Sequence, residues 1–519
     1  MKYVVERVIV NKNDSEREIR NKIAKRLSLT PESFRYEIVR RNLDIVEDEA
    51  VYYLKVIVDT NSFIRDTRIT FFGPSESLII QPTRSRVRPI VVGAGLSGLF
   101  AAYVLARAGL RPIVVEQGSD SSARDESISH YELGNPNVAS AYGTGLGGFS
   151  GWCGGVSFSN HLDGFGQFAL NTFMEMGASK NLNFEGTFFI SAGEMREIVN
   201  RLVTEIKNLG GEVLLNNKMT AILHSFGKVK GIQVAKTNGK KETIKGKCVV
   251  LATGLPNSSM VSMLSKAKVK TEVKPFYMGL LAEVPAKDAN AAVYGNEASR
   301  TGLPPFYFSK DFKTSSGRKA KVGYLYPNGR VFCDASNGSE ILLRSAFPNS
   351  NTNNYSASIL VEIEPNEFQQ FGQGGVFPFL KRFYESLYRQ ASPAYAPCES
   401  LKDFLTEANP VKLGNAKTSY YPGVYLEDLA STSPSFLGKD LIEAASIFSK
   451  NFPGVKPDDA IVFGFTDGRS SPYRVCVDDD FNTSLKGLMS ALPSAQKEES
   501  ILDEARRGVA CAFSLLNQD

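Results

Sequence analysis

Histidine is almost missing from this chain, with three among 519 residues. The six cysteines, Cys153, Cys248, Cys333, Cys398, Cys476 and Cys511, stand far apart with no CxxC pair. Together these shortages exclude the ligand spacing of a zinc site or an iron-sulfur cluster, so any redox chemistry comes from an organic cofactor and no metal is expected. Isolated cysteines of a cytosolic chain read as small buried hydrophobes. Also missing is an apolar run near the ~20 residues that span a bilayer. The start, Met1-Lys2-Tyr3-Val4-Val5-Glu6-Arg7, lacks the apolar core of a signal peptide. A soluble, cytoplasmic protein without a membrane partner is expected. No internal repeat and no low-complexity tract is present.

A strong charge of one sign is absent too: the net charge is +5. Most of it sits in residues 1–89, which carry 17 Lys and Arg against 13 Asp and Glu. Acidic residues (Glu16, Glu18, Asp44, Glu47, Asp48, Glu49) interleave with the basic ones there, and no ladder of aromatic and basic residues forms, so nucleic acid is not an expected partner. What is present is an ordinary globular composition, 42% hydrophobic and 22% charged, on a chain long enough for two or three packed domains.

Residues 3–10 read as a strand, 15–27 as a helix started by Asp14 or Ser15, and 33–41 and 51–58 as two more strands, a small α/β module. Residues 82–88 form a polar connector and mark a boundary. Immediately after it comes Ile90-Val91-Val92-Gly93-Ala94-Gly95-Leu96-Ser97-Gly98, a short buried strand turning through three glycines into a helix. This is a dinucleotide fingerprint in its required context: Gly93 for the tight turn, Gly95 for close approach of backbone amides to a pyrophosphate, Gly98 for helix-strand packing. Pro112-Ile113-Val114-Val115-Glu116 supplies a second strand, and Glu116 stands where a carboxylate accepts both ribose hydroxyls, which disfavours a 2′-phosphate.

FAD and NAD share this fingerprint. A helix ending near Leu209 is followed by short alternating strands at 212–215, 220–224, 228–235 and 242–245 that resemble a β-meander. Behind it stands Cys248-Val249-Val250-Leu251-Ala252-Thr253-Gly254, where flavoproteins with two dinucleotide-binding folds pass the chain close to FAD. FAD is therefore the expected cofactor.

Most of the chain resembles the bacterial family of uncharacterised FAD-dependent dehydrogenases, relatives of the flavoprotein reductases of the glutathione-reductase type. Four matches carry the resemblance: Arg40-Arg41-Asn42-Leu43-Asp44, the fingerprint with Glu116, the glycine-rich stretch from Tyr142 through Gly143, Gly145, Gly147, Gly148, Phe149 and Ser150 to Gly151, and Ser470-Ser471-Pro472-Tyr473-Arg474. The resemblance implies that residues 143–150 run beside the ribityl chain and flavin ring, that Gln117 and Arg124 lie near the nucleotide, and that Met219 meets the adenine. At its end the chain departs from the family: Leu492-Pro493 stands where a Gly-Glu pair is expected, so the C-terminal FAD motif is degenerate. Pro493 has no N–H to donate.

Near the implied flavin, Cys153 has no CxxxxC partner for a dithiol relay. Arg474 reads as a receptor for an anionic substrate or for the charge of reduced flavin, or equally as a surface ion pair. His130 and His161 read as loop histidines. Between residues 265 and 458 no second fingerprint follows a strand. Gly372-Gln373-Gly374-Gly375 reads as a loop, and the aromatic residues Phe306, Tyr307, Phe308, Tyr324, Tyr326, Tyr420 and Tyr421 either line a pocket for an apolar or aromatic ligand or pack a core.

The expected fold class is α/β: a Rossmann-type FAD-binding domain with parallel sheet and β-meander, an inserted α+β cap or substrate domain, and a small N-terminal α/β module. The segments are 1–82 (module), 83–264 (first part of the FAD domain), 265–458 (cap) and 459–519 (return). The expected function is hydride transfer between flavin and a small organic substrate, with the cofactor held by Gly93 to Gly98, Glu116, residues 143–150, Ala252, Thr253 and Gly254, and no catalytic side chain is assigned. The alternative is a non-catalytic binding or scaffold subunit that has lost or weakened FAD use; a protein partner or a second copy of the chain then takes the place of substrate.

Overall fold

The computed structural model describes the chain apart from residues 12, 47–48, 67–68, 72–77, 86, 133–142, 159–162, 180–186, 296–308, 328, 335–341, 347–351, 372–374, 391–394, 414–416, 453, 494–499 and 519. His161, Phe306, Tyr307, Phe308 and Gly372 to Gly374 lie outside the described residues.

In the N-terminal module, Ser15 caps the helix Glu16–Leu27 and closes a capping box with Glu18, which satisfies amides that the first turn leaves open. The helix covers an antiparallel sheet in the order Phe34–Val46, Glu49–Thr60, Lys2–Asn11, Thr70–Phe71. Inward residues of these strands (Val5, Val8 and Val10, with a bulge between Val5 and Val8; Leu54, Val56, Val58) join Ile23 and Leu27 in a separate small core. The second and third strands run further than their apolar runs suggest, because Arg40 to Asp44 continue the pairing, with Arg41 opposite Leu54 and Asn42 opposite Tyr53.

The central domain is a five-stranded sheet in the order Leu488–Ser490, Val249–Leu251, Ile90–Val92, Ile113–Val115, Glu212–Leu214, parallel throughout. Its three inner strands are apolar at every position and fully covered, as a parallel sheet with both faces packed requires. One face carries the helices Leu96–Arg107, Ala192–Asn208 and Ile501–Asn517. The other carries the meander Asn217–Ser225, Lys228–Lys236, Lys241–Lys245 and the helix Ser258–Lys266. The first of the four expected meander strands thus belongs elsewhere: Glu212–Leu214 pairs with Ile113–Val115 as the sheet's edge. Alternation marks a strand exposed on one side, and an edge strand shares that mark with a meander.

A second, mostly antiparallel sheet has seven strands in the order Ser309–Lys313, Lys319–Pro327, Asn354–Ile363, Phe276–Pro285, Ile461–Thr466, Ala396–Ser400, Val424–Leu426. The strand Ile461–Thr466, which reads from sequence as the start of the return segment, lies inside this sheet between Phe276–Pro285 and Ala396–Ser400. The chain then crosses back through Tyr473–Val475, paired with Thr271–Val273, and enters the parallel sheet at Leu488–Ser490. Among the described residues no helix is long and apolar enough to cross a membrane.

Candidate cofactor site

The strand Ile90–Val92 ends at a turn whose three glycines have different duties. A Cβ on Gly93 (φ +107°) meets the Ala252 carbonyl oxygen at 2.3 Å, and one on Gly98 meets the Gly93 carbonyl oxygen at 1.9 Å, so both positions are closed by the protein's own backbone. Gly95 differs. Its φ of −70° suits any residue, and a Cβ there has nothing within 4 Å. It caps the helix Leu96–Arg107 without any side-chain acceptor for the first-turn amides. Nothing inside the protein asks for glycine at this position, which is the expected signature of a ligand brought against the backbone.

Glu116 follows the second strand, buried at 6% exposure. Its Oε2 accepts the Ala94 amide at 2.9 Å; its Oε1 accepts the Gly118 amide at 2.8 Å and the Gly145 amide at 2.9 Å. One carboxylate therefore ties the fingerprint turn, the strand end and the glycine-rich loop together. Charge-assisted bonds of this kind are among the stronger ones in a protein. The same loop is held by Gly147, whose amide donates to the Ala94 carbonyl at 2.8 Å, and by Leu146, which donates to Ser119 at 3.0 Å.

Behind the loop lies Arg124, fully buried. Its Nη1 donates to the Gly148 carbonyl at 2.8 Å and to that of Thr144 at 3.5 Å. Burial pushes its pKa down to about 10, against the pull of Asp125. Its Nε and Nη2 have no hydrogen-bond partner among the described residues.

These segments enclose a cavity of ≈ 430 Å³. From the fingerprint, Gly93, Gly95, Leu96 and Ser97 face it; from the second strand's end, Glu116 and Gln117. The glycine-rich loop contributes Gly143, Gly147, Gly148 and Phe149, the meander Met219, and the turn after Val249–Leu251 contributes Ala252, Thr253 and Gly254. Ala94, Gly98, Gly145, Ser150 and Arg124 do not line it; Ala94, Gly145 and Arg124 hold the walls through the bonds above, and Gly98 is packed beneath the turn. Arg474 does not join the site. It stands on the two-stranded crossing, in an ion pair with Glu272 that leaves both side chains roughly half exposed.

The cation at that end of the cavity is Arg469, five residues earlier. Its guanidinium lies 3.6 Å over the Phe149 ring, and Phe149 in turn stacks on Phe332 at 5.8 Å. The loop bearing it is fastened on both sides. Ser470 Oγ accepts the Tyr277 amide at 2.7 Å on the seven-stranded sheet, while Ser471 Oγ donates to the Pro256 carbonyl at 2.7 Å beside the Thr253-Gly254 turn. Arg469 itself sits at φ +52°, a left-handed conformation uncommon for a side chain of this size, with its amide turned to Asp467 Oδ1 at 2.9 Å.

Asn217, Lys218, Met260, Met263, Arg469 and Arg507 line the cavity beyond the residues expected from the sequence. Asn217 and Lys218 adjoin Met219 and were within reach of the motif; the others arrive by tertiary packing. Cys153 is buried, its Sγ donating to the Phe149 and Gly154 carbonyls. His130 is not on a loop but exposed on the helix Ser121–Glu132. Tyr420 is buried in the seven-stranded-sheet core and Tyr421 is exposed, and neither lines the cavity; Tyr324 and Tyr326 belong to the strand Lys319–Pro327.

A parallel sheet whose first strand turns through three glycines onto a helix, backed by a meander and crossed by a glycine-rich loop, defines a Rossmann-type flavoprotein. Within that class, residues 275–469 match the family described as "FAD-dependent protein, C-terminal domain-like", and residues 91–151 match the "NAD(P)-binding Rossmann-like domain". FAD is the cofactor that fold and matches support. An uncharacterised protein of Clostridium beijerinckii is 28% identical over 488 residues, 91% of this chain and 89% of that one. Among solved structures, a glycerol-3-phosphate dehydrogenase from Bacillus halodurans complexed with FAD is 12% identical, covering 84% of this chain and 66% of that chain at a TM-score of 0.35. THI4 of Thermovibrio ammonificans is 22% identical over 36% of this chain and 65% of its own, at 0.26. The chain spans less than two thirds of the length of either structure.

Proposed function

We propose that this chain is an FAD-dependent oxidoreductase that exchanges a hydride with a small organic substrate, taken up where the seven-stranded domain meets the cofactor cavity. The observation that carries the reading is Gly95, a residue with ordinary backbone angles and open space where its Cβ would stand. Bound FAD supplies the two-electron chemistry that the side chains of this site lack.

The chain's own contribution is binding and orientation. First-turn amides at Leu96 to Gly98 offer donors and the positive end of a helix to a diphosphate. Glu116 already accepts three amides, so Oε2, with one of them, is the oxygen with capacity left for a ribose hydroxyl. Met219, Met260 and Met263 give a soft thioether wall suited to an adenine face. At the other end Arg469, over the Phe149 ring, places a positive charge beside the glycine-rich loop.

The test is to purify the protein natively, denature it and identify what it releases. FAD in amounts equal to the protein is expected, with flavin absorbance before denaturation. A colourless protein that takes up no FAD on titration overturns the reading and leaves the binding or scaffold role in its place.

A further inference from the structure

Arg507 belongs to the closing helix Ile501–Asn517, more than 400 positions after the fingerprint, yet its guanidinium stands at the fingerprint's first helical turn. Its Nη2 donates to Ser97 Oγ at 3.2 Å and its Nε to the Ala491 carbonyl at 2.7 Å, and the residue lines the cavity. We propose that Arg507 is a diphosphate-binding residue of the cofactor site, supplying from the closing helix the donor that the Leu492-Pro493 segment cannot. The inference rests on the FAD reading above and goes beyond it by assigning the cation that meets the phosphates.

Three features argue for it. The position is set by the backbone: next to Arg507, Gly508 packs so closely on the fingerprint helix that a Cβ would fall 2.1 Å from the Ser97 carbonyl oxygen. The Ser97 hydroxyl gives its proton to the Glu504 carbonyl at 2.6 Å, which leaves its oxygen as the acceptor for Arg507 and fixes the guanidinium's direction. Glu504 also lines the cavity.

The second feature is electrostatic. The helix Leu96–Arg107 directs its positive end at the same space, and Gly95 offers its amides no side-chain acceptor. A guanidinium beside a helix N-terminus is a juxtaposition of like polarity, the reverse of the usual preference for acidic groups there. A phosphate at this place meets donors from both the helix end and the guanidinium. A diphosphate is the anion of suitable shape, since a planar guanidinium meets phosphate oxygens with paired donors.

The third is the wall beside Arg507. Ala491 and Pro493 line the cavity after the strand Leu488–Ser490. Pro493 has no N–H, and the Ala491 amide is taken by the Leu251 carbonyl at 2.8 Å. These two residues therefore have no backbone N–H left for a phosphate, and the Ala491 carbonyl accepts the Arg507 Nε–H, which brings the guanidinium to this wall.

The experiment compares ADP with adenosine, and FAD, as probes of deflavinated wild type, Arg507→Met and Arg507→Lys by calorimetric titration. Expected is a wild-type preference for ADP over adenosine that falls about tenfold in Arg507→Met, with adenosine affinity unchanged, and FAD affinity lowered by the same factor. Arg507→Lys, which keeps a cation without the fork, falls between the two. An ADP-to-adenosine ratio equal in all three proteins, or a loss of adenosine and ADP together, overturns the assignment while FAD binding by wild type leaves the cofactor reading intact. Wild type that binds neither FAD nor ADP takes both down. Should Arg507→Met not fold, the Arg507→Lys ratio alone decides: equal to wild type, the proposal fails.

Discussion

The Gly145 amide donates to Glu116 Oε1 at 2.9 Å, 29 positions along the chain, and so the residue that reads from sequence as a ribose acceptor is also the fastening of the glycine-rich loop. The three amides on its carboxylate come from three separate segments, so the charge does structural work before any nucleotide arrives.

Replacing Glu116 with Ala consequently has two effects. Three buried amides lose a charged acceptor, a destabilisation of about 1.5 to 3 kcal/mol for the first bond alone, and nucleotide affinity falls as the loop loosens. Thermal unfolding of the cofactor-free protein is the check, with Glu116→Gln, which keeps one carbonyl acceptor, expected between Ala and wild type. If cofactor-free Glu116→Ala melts with wild type, the carboxylate serves only a ligand.

The glycines of the fingerprint separate by the same measurement. Gly95→Val meets no protein atom at its Cβ and should leave the cofactor-free melting curve in place while weakening FAD by roughly ten- to a hundredfold. Gly98→Ala drives a methyl to 1.9 Å from the Gly93 carbonyl oxygen and should destabilise the fold itself, by about 1 to 3 kcal/mol. Reversed results, with Gly95→Val unfolding the protein and Gly98→Ala silent, contradict the division of duties.

A third expectation concerns pH and the seven-stranded sheet. Burial raises the Glu399 carboxyl to about 8, against the Leu429 amide bond at 2.8 Å that favours its charged form. Glu283, also buried, is raised as well. A carboxyl with a folded pKa above its unfolded one binds its proton more tightly in the folded state, so stability is fully present below about pH 4.5 and declines as pH rises toward 8. Glu399→Gln keeps the acceptor for Leu429 and removes the titration, and should flatten that decline without abolishing the share due to Glu283. Unfolding midpoints measured between pH 5 and 8 test it; equal slopes in variant and wild type speak against a buried, proton-binding Glu399.

The parts of the site that could be read in the sequence are those made by contiguous chain. Gly93, Gly95 and Gly98 fall on one strand-turn-helix, and Glu116 stands one strand later, because local backbone geometry depends on residues a few positions apart. The helix Glu16–Leu27 was equally legible, since Ser15 and Glu18 cap it from within its own first turn. The edge strand Glu212–Leu214 and the inner strand Ile461–Thr466 were less so: their residues announce a strand, but which sheet receives it depends on partners elsewhere.

The cations around the cavity were decided by tertiary structure. The sequence leaves Arg474 open between an anion receptor and a surface ion pair, and Glu272, some 200 positions away, makes it the ion pair. Arg469 faces the cavity because Ser470 and Ser471 are fastened to two different domains, and Arg507 reaches Ser97 because Gly508 lets two helices touch. What the sequence by itself determined was the fingerprint turn and the class of ligand it fits. Which cations surround that turn was settled only by packing, since a side chain's partners are chosen by proximity in space, and proximity across hundreds of residues exists only once both sheets have formed.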